Sequence, residues 1–529
     1  FLASEPGEFP YVRGTRCDNV WRVHQSLTVK CPEAANAEAL KLLDSGVDSL
    51  GFSLTKGLSA AEVETLLRDI HLPAVEVVFS GEGVADVVEP VLAKIEKEGW
   101  QETASVHFVL DPIINRLSLT GAFCSPGGEK CFKMLAGLVR RTAAMKGVRV
   151  VTVSGENFSN AGSTIVEELA FTLSAGHEYL VRLMDEGLTV DEAARMLWAN
   201  IVKGYNPEKG CSCKLFAHAV TSTWNQTVYD PYINMLRGTT EAMSAAIAGV
   251  HSLEVTPFNA SFAEPDEFSK RIARNVELLL KHESHFDQVV DPAGGSYYIE
   301  NLTQSIAAEA WKLFLELEEK GGYVAAFESG YVVERVDASA AAKDKSVAQR
   351  RITLLGANQY PNFTEVASDA VTEAAVTRRK KAGVLNPYRG AMAFEAMRLH
   401  VDRSGKTPKA FMLTAGHLAM ARARAQFSCN FFACAGIRVQ DNTFFKDLEE
   451  GVKAALESKA EIVVLCSSDD CYAELAPRVK EMLGDKAILV IAGAPACMAE
   501  LEAQGIGNFI HVKSNVLDTL HNYLTQMGI

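Results

Sequence analysis

The sequence predicts an α/β protein of two units, an N-terminal (β/α)8-type barrel and a C-terminal flavodoxin-like domain. Three observations carry this. The chain has 529 residues, more than one ordinary domain holds. From about Ser49 to Asn301, short apolar runs alternate with amphipathic helical patterns. The alternation lapses over a charged stretch and resumes at Pro408. The expected divisions are 1–331 for the barrel with a short N-terminal arm, 332–407 for a helical connector and 408–529 for the small domain.

In chain order, the barrel strands are expected at SLGFSL (Ser49–Leu54), AVEVVF (Ala74–Phe79), SVHFVL (Ser105–Leu110), VRVVTVSG (Val148–Gly155), KLFAHAV (Lys214–Val220) and SLEVTPF (Ser252–Phe258). β-Branched and aromatic residues dominate them, as in parallel strands buried on both faces. Ser59 and Glu62 have the spacing of a capping box at a helix start. About 300 residues of strand–helix repetition fit a barrel better than a doubly wound sheet. VDASAAAKDKSVAQRR and TEAAVTRRKKAGVLNPYRG belong to the connector, their charges on solvated helix faces. After Pro408, the strands KAFMLTA, IRVQDN, EIVVLCSS, KAILVIAGA and NFIHV give five βα units in about 120 residues, the size of a flavodoxin-like domain.

Composition excludes several classes. Hydrophobic residues make up 48% and charged residues 22%, the balance of a soluble globular chain. The net charge of -14 argues against nucleic acid or an anionic membrane as partner. No apolar run is long enough for a bilayer span, and FLASEPGEFP lacks the basic and apolar regions of a secretory signal. The chain opens on Phe1 without an initiator Met, which leaves a native upstream arm open. Eleven cysteines include no CxxC pair, and Cys211 and Cys213 are only two apart. They are expected to be buried free thiols of a cytoplasmic protein, with no metal site.

The loop after KAFMLTA lies at the carboxyl end of a strand, where open α/β sheets bind ligands, and it contains His417. No second ligand stands at helical spacing from His417, so a lone metal ligand is not expected there. Arg422 and Arg424, on the helix that follows, are expected to be solvated or to meet a partner protein. Gly505 and Gly507 read as a turn.

Local motifs resemble those of methylmalonyl-CoA mutases. They are FPYVRG (Phe9–Gly14), RIARNVELLLKHES (Arg271–Ser284) and DPAGGSYYIENLT (Asp291–Thr303). The resemblance implies a barrel that holds an acyl-CoA, a small domain that holds adenosylcobalamin, and the interconversion of succinyl-CoA and methylmalonyl-CoA. Against that pattern the chemistry is missing. Counting back from FFACAGIRV, the family's DxHxxG positions fall on Ala419, Ala421 and Arg424. Asp469 stands where an apolar residue is expected, and of a glycine pair only Gly493 remains. In the barrel, the family's His becomes Glu254, its Arg becomes Phe216, its Gln becomes Val220, another His becomes Asn157, and a Tyr becomes Arg16. His218 and Trp224 are kept, with His218 expected as a satisfied core histidine.

The resemblance thus implies no catalytic, cofactor-binding or metal residue in this chain. It implies a small, non-catalytic subunit paired 1:1 with a catalytic large subunit that carries the adenosylcobalamin. A stand-alone binding or scaffold protein, and an active mutase with altered ligation, are the alternatives.

Overall fold

The computed structural model describes residues 5–9, 11, 13–193, 199–208 and 213–529. Pro10 and Val12 of FPYVRG, part of FLASEPGEFP, and Cys211 lie outside them.

The first unit is built on seven parallel strands: β1 (Arg22–Val29), β2 (Ser49–Leu54), β3 (Glu76–Gly81), β4 (Val106–Phe108), β5 (Val148–Arg149), β6 (His218–Val220) and β7 (Ser252–Glu254). Their order is β5-β4-β3-β2-β1-β7-β6. β1 therefore joins the last strand to the second, as in a ring, and one place stays open between β5 and β6. In sequence, the stretch between β5 and β6 includes 194–198 and 209–212, which lie outside the described residues. This curled sheet is consistent with the expected barrel.

β1 does not appear among the expected strands. Its residues Arg22, His24, Ser26 and Thr28 alternate with Val23, Gln25, Leu27 and Val29. A strand buried on both faces was expected as an apolar run, but here the inward face is polar. Registers fix that face: His24 pairs with Ser49 on one side and Glu254 on the other, and His218 pairs with Ser252. Ser59 and Glu62 do form a reciprocal capping box, and Thr164 and Glu167 form another.

The connector contains the helices Tyr331–Ala348 and Met392–Arg403, with longer non-helical stretches than expected between them. Beyond it lie β8 (Lys409–Thr414), β9 (Arg438–Gln440), β10 (Ile462–Cys466), β11 (Ile488–Ala492) and β12 (Phe509–Ile510). They form a parallel sheet ordered β12-β11-β10-β8-β9. Counted within the domain this is 2-1-3-4-5, the flavodoxin order, whose switch point lies between β8 and β10.

The cysteine expectation needs correction. Cys124 and Cys131 form a disulfide, joining the turn before the helix Glu129–Thr142 to its first turn. A seven-residue separation matches no framework legible in sequence. Cys17 and Cys31 are exposed, whereas Cys213, Cys429, Cys434 and Cys466 are buried free thiols as expected. Among the described residues, no helix is long and apolar enough to cross a membrane.

Candidate functional site

At the switch point, β8 is followed by Ala415 and Gly416. Gly416 has φ +76°, and a Cβ there would stand 2.3 Å from Ser467 Oγ, so only glycine lets the two loops close on each other. His417 follows as the N-cap of the helix Leu418–Ala433, where its Nδ1 accepts from Met420 N–H (3.4 Å). The imidazole satisfies a helix-end donor. Ala419 is exposed and Ala421 fully buried.

Arg424 enters the crevice itself. It donates to Asp469 Oδ1 (2.8 Å), and its guanidinium lies over Tyr472, 5.2 Å from the ring centroid. A Cβ on Gly493 would meet Arg424 Nη1 at 2.5 Å. Two departures from the family pattern, Arg424 and Asp469, thus pack with the retained Gly493 as one group. Beneath it, Tyr472 OH accepts from Ser467 N–H (3.0 Å) and donates to Ala492 O (2.6 Å), holding the ends of β10 and β11 together. Burial pushes that phenol up to about 12.

The barrel lumen is lined by hydrogen-bonded polar side chains. Ser49 Oγ donates to Glu76 Oε1 (2.8 Å), and His24 Nδ1 lies 2.7 Å from Ser49 Oγ. Glu254 accepts from Ser26 N–H (3.1 Å) and Ser26 Oγ–H (3.0 Å). His24 Nε2 stands 3.7 Å from Glu254 Oε2. The His24 and His218 rings meet edge-on at 4.8 Å, and His218 Nδ1 lies 2.8 Å from Ser252 Oγ. Burial lowers the His24 imidazole to about 4 and raises the Glu254 carboxyl.

A second layer lies toward the amino ends of the strands. Phe216 sits between His107, met edge-on at 4.7 Å, and the tilted ring of His251 at 4.4 Å, with the Arg149 guanidinium over its face (4.2 Å). Arg149 Nη1 donates to His107 Nε2 (2.7 Å), so that imidazole is neutral and its 3.6 Å approach to Glu76 is not an ion pair. Burial, then Arg149, pushes His107 well below its usual range.

The other expected positions fall elsewhere. Arg16 donates to Val250 O (3.0 Å), just ahead of β7. Asn157 donates to Asn115 Oδ1 (3.0 Å) and Ser154 O (3.2 Å) in a side-chain network outside these layers. Val220 is exposed on β6. Trp224 is buried against Gly390 and Tyr388 of the connector, a packing role. His218 makes its hydrogen bond, but it is exposed on β6 and not the core histidine expected, and it also faces Glu254, which sequence spacing could not reveal. Arg13 Nε donates to Asp291 Oδ2 (2.9 Å), so FPYVRG and DPAGGSYY meet through an ion pair. Gly294 makes room there, since a Cβ would lie 2.4 Å from that same oxygen.

His251 offers a pH test. Burial, with Arg16 and Arg149 nearby, lowers it to about 4, below the ordinary 6.5. The unfolded chain therefore binds this proton first as pH falls. Stability from the neutral ring is present above about 6.5 and lost as pH drops toward about 4. The Glu254 carboxyl, raised by burial, acts in the opposite sense, so the comparison must be with a variant. His251→Asn keeps an acceptor for Ala217 N–H. In urea unfolding, the stability of wild type relative to this variant falls between pH 6.5 and 4; a constant difference refutes the assignment.

A barrel with a polar lumen, joined to a 2-1-3-4-5 sheet with an occupied switch point, defines a two-unit α/β protein with two ligand-type crevices. The methylmalonyl-CoA mutase family model matches residues 55–194 and 192–427. The chain is 46% identical to the methylmalonyl-CoA mutase small subunit of Porphyromonas gingivalis, over 99% of this chain and 90% of that one. It is 32% identical to the protein of that name from Streptomyces virginiae, over 100% of this chain and 89% of the relative. A methylmalonyl-CoA mutase of Rhizobium meliloti is 30% identical over 80% of this chain and 67% of its own length. The chain belongs to the methylmalonyl-CoA mutase family.

Proposed function

We propose that this chain is the non-catalytic small subunit of a heterodimeric methylmalonyl-CoA mutase. It pairs 1:1 with a catalytic large subunit that binds adenosylcobalamin and interconverts succinyl-CoA and methylmalonyl-CoA. The observation that carries this reading is the Arg424–Asp469 pair packed on Gly493 and Tyr472. It fills the switch-point crevice where a cofactor tail would enter. Ala419 and Ala421 offer no atom for cobalt, and His417 spends its Nδ1 on the helix end. The residues present do not fit cobalamin, and no catalytic step is assigned to this chain.

The barrel supports the same reading. Glu254 and Phe216 stand where a substrate carboxylate would need cations, and a carboxylate repels an anionic acyl group. Retained motifs serve the fold: Arg13–Asp291 ties the arm to DPAGGSYY, and Trp224 packs the barrel on the connector. A second reading, a stand-alone binding protein, is favoured by one feature, a cleft of about 400 Å³ at the ends of β1 and β7 lined by Lys30, Lys270 and Arg274.

Co-expression with a catalytic large subunit tests the proposal. The expected result is a stable 1:1 complex, with no change in the adenosylcobalamin spectrum when the cofactor is titrated into this chain alone. Cofactor binding by the isolated chain refutes it, and failure to form the complex favours the stand-alone reading.

A further inference from the structure

We propose that His24, His218 and Glu254 form a binding site for one divalent transition-metal cation of the zinc class. Each offers one ligand atom, and these atoms lie within 4.8 Å of one another. Two imidazoles and a carboxylate suit zinc and its first-row neighbours, with further positions left open. His24 and Glu254 line the cleft of about 400 Å³, so an ion has an entry path.

Proton bookkeeping in the layer supports the site. Ser49 Oγ gives its hydrogen to Glu76, so it can only accept from His24, which places the His24 proton on Nδ1. Nε2 is then a bare lone pair. Its neighbours are Ser26 Oγ at 3.2 Å, whose hydrogen goes to Glu254, and Glu254 Oε2 at 3.7 Å. With Glu254 ionised, three acceptors face one another, with no donor between them among the described residues. A cation resolves that conflict; of the cations lining the cleft, Lys30 pairs with Glu264 and Lys270 with Glu38, while Arg274 donates to Gln25 and keeps a buried Nε without a partner.

The layer also supplies what metal-bound histidines need. The ring nitrogen turned away from the ion is held by a hydroxyl in each case, Ser49 for His24 and Ser252 for His218. Such partners fix ring orientation and raise ligand basicity. Metal–ligand bonds of about 2.0–2.2 Å require the three atoms to draw closer together than they stand here.

The test uses the full chain stripped of metal by a chelator and titrated with Zn2+ by calorimetry and with Co2+ by visible absorption. The expected result is one ion per chain, with ligand-field bands for Co2+. Glu254→Gln and His218→Ala each weaken binding at least about tenfold, and Ser252→Ala weakens it about 10–100-fold. His251→Asn, outside the trio, leaves affinity unchanged. Circular dichroism establishes that the variants fold. No binding means that a proton, not a metal, settles the conflict, and overturns the proposal. Equal affinity in wild type, Glu254→Gln and His218→Ala places the ion elsewhere, such as on Cys17 or Cys31, and also overturns it. Neither outcome depends on whether the chain pairs with a large subunit.

Discussion

Replacing Glu395 by Ala costs about 3–5 kcal/mol, the penalty for removing one member of a buried ion pair. Glu395 and Arg389 are 1% and 7% exposed and approach to 2.6 Å. The contact is poorly aligned for a hydrogen bond, so the attraction is mainly coulombic. Burial raises the Glu395 carboxyl despite Arg389, so desolvation outweighs the pairing. Truncation leaves the guanidinium inside with only the carbonyls of Gln226 (3.1 Å) and Ala375 (2.6 Å). It also orphans Val228 N–H, which donates to Glu395 Oε1 at 2.7 Å. Val228 follows β6, whereas Arg389 and Glu395 belong to the connector, so the loss loosens the joint between the two units. The urea midpoint of Glu395→Ala falls well below that of wild type. Glu395→Gln keeps the acceptor for Val228 and falls between them. Replacing both partners by Met recovers most of the loss, because the isolated charge is gone. If the double variant is as unstable as Glu395→Ala, the loss comes from packing and not from a stranded charge.

Much of the architecture is legible from periodicity and motif. Strands β2 and β8 fall where the apolar runs place them, and the capping box at Ser59 is visible in spacing alone. β1 is not, because its inner residues Arg22, His24, Ser26 and Thr28 are polar. The lumen they face is a hydrogen-bonded layer, and an apolar template cannot find such a strand. The Cys124–Cys131 disulfide is hidden for a different reason: nothing in a seven-residue separation distinguishes a bridge from two thiols.

The sites divide along the same line. Ala419, Ala421, Arg424, Phe216 and Glu254 stand out one by one against a family pattern. That they act in groups does not. Arg424 comes from the helix Leu418–Ala433 and Asp469 and Gly493 from the segments after β10 and β11, and only closure of the sheet puts the guanidinium into the space that Gly493 leaves. His24, His218 and Glu254 lie on three strands that become neighbours only when β1 closes the ring between β2 and β7. Spacing rules for metal ligands assume one helix or one hairpin, so such a trio leaves no local signature.

Tyr472→Ala is the second large effect, about 3–5 kcal/mol for loss of a buried aromatic side chain and the cavity it leaves. Tyr472 is fully buried, packs in the core of the small domain and bridges Ser467 to Ala492. Two variants separate its roles. Tyr472→Phe keeps the ring under Arg424 but strands Ser467 N–H and Ala492 O, at about 1–3 kcal/mol. Tyr472→Ala removes the ring as well, and Arg424 loses the face it lies over. Amide exchange reads the difference locally. In Tyr472→Phe, protection falls at Ser467 and at the end of β11; in Tyr472→Ala, the fall spreads to the helix Leu418–Ala433, which carries Arg424. Neither variant gains affinity for adenosylcobalamin, because opening space does not supply the ligand atoms that Ala419 and Ala421 lack. If exchange in that helix is unchanged in Tyr472→Ala, Arg424 is held by Asp469 alone and the crevice is not packed as one unit.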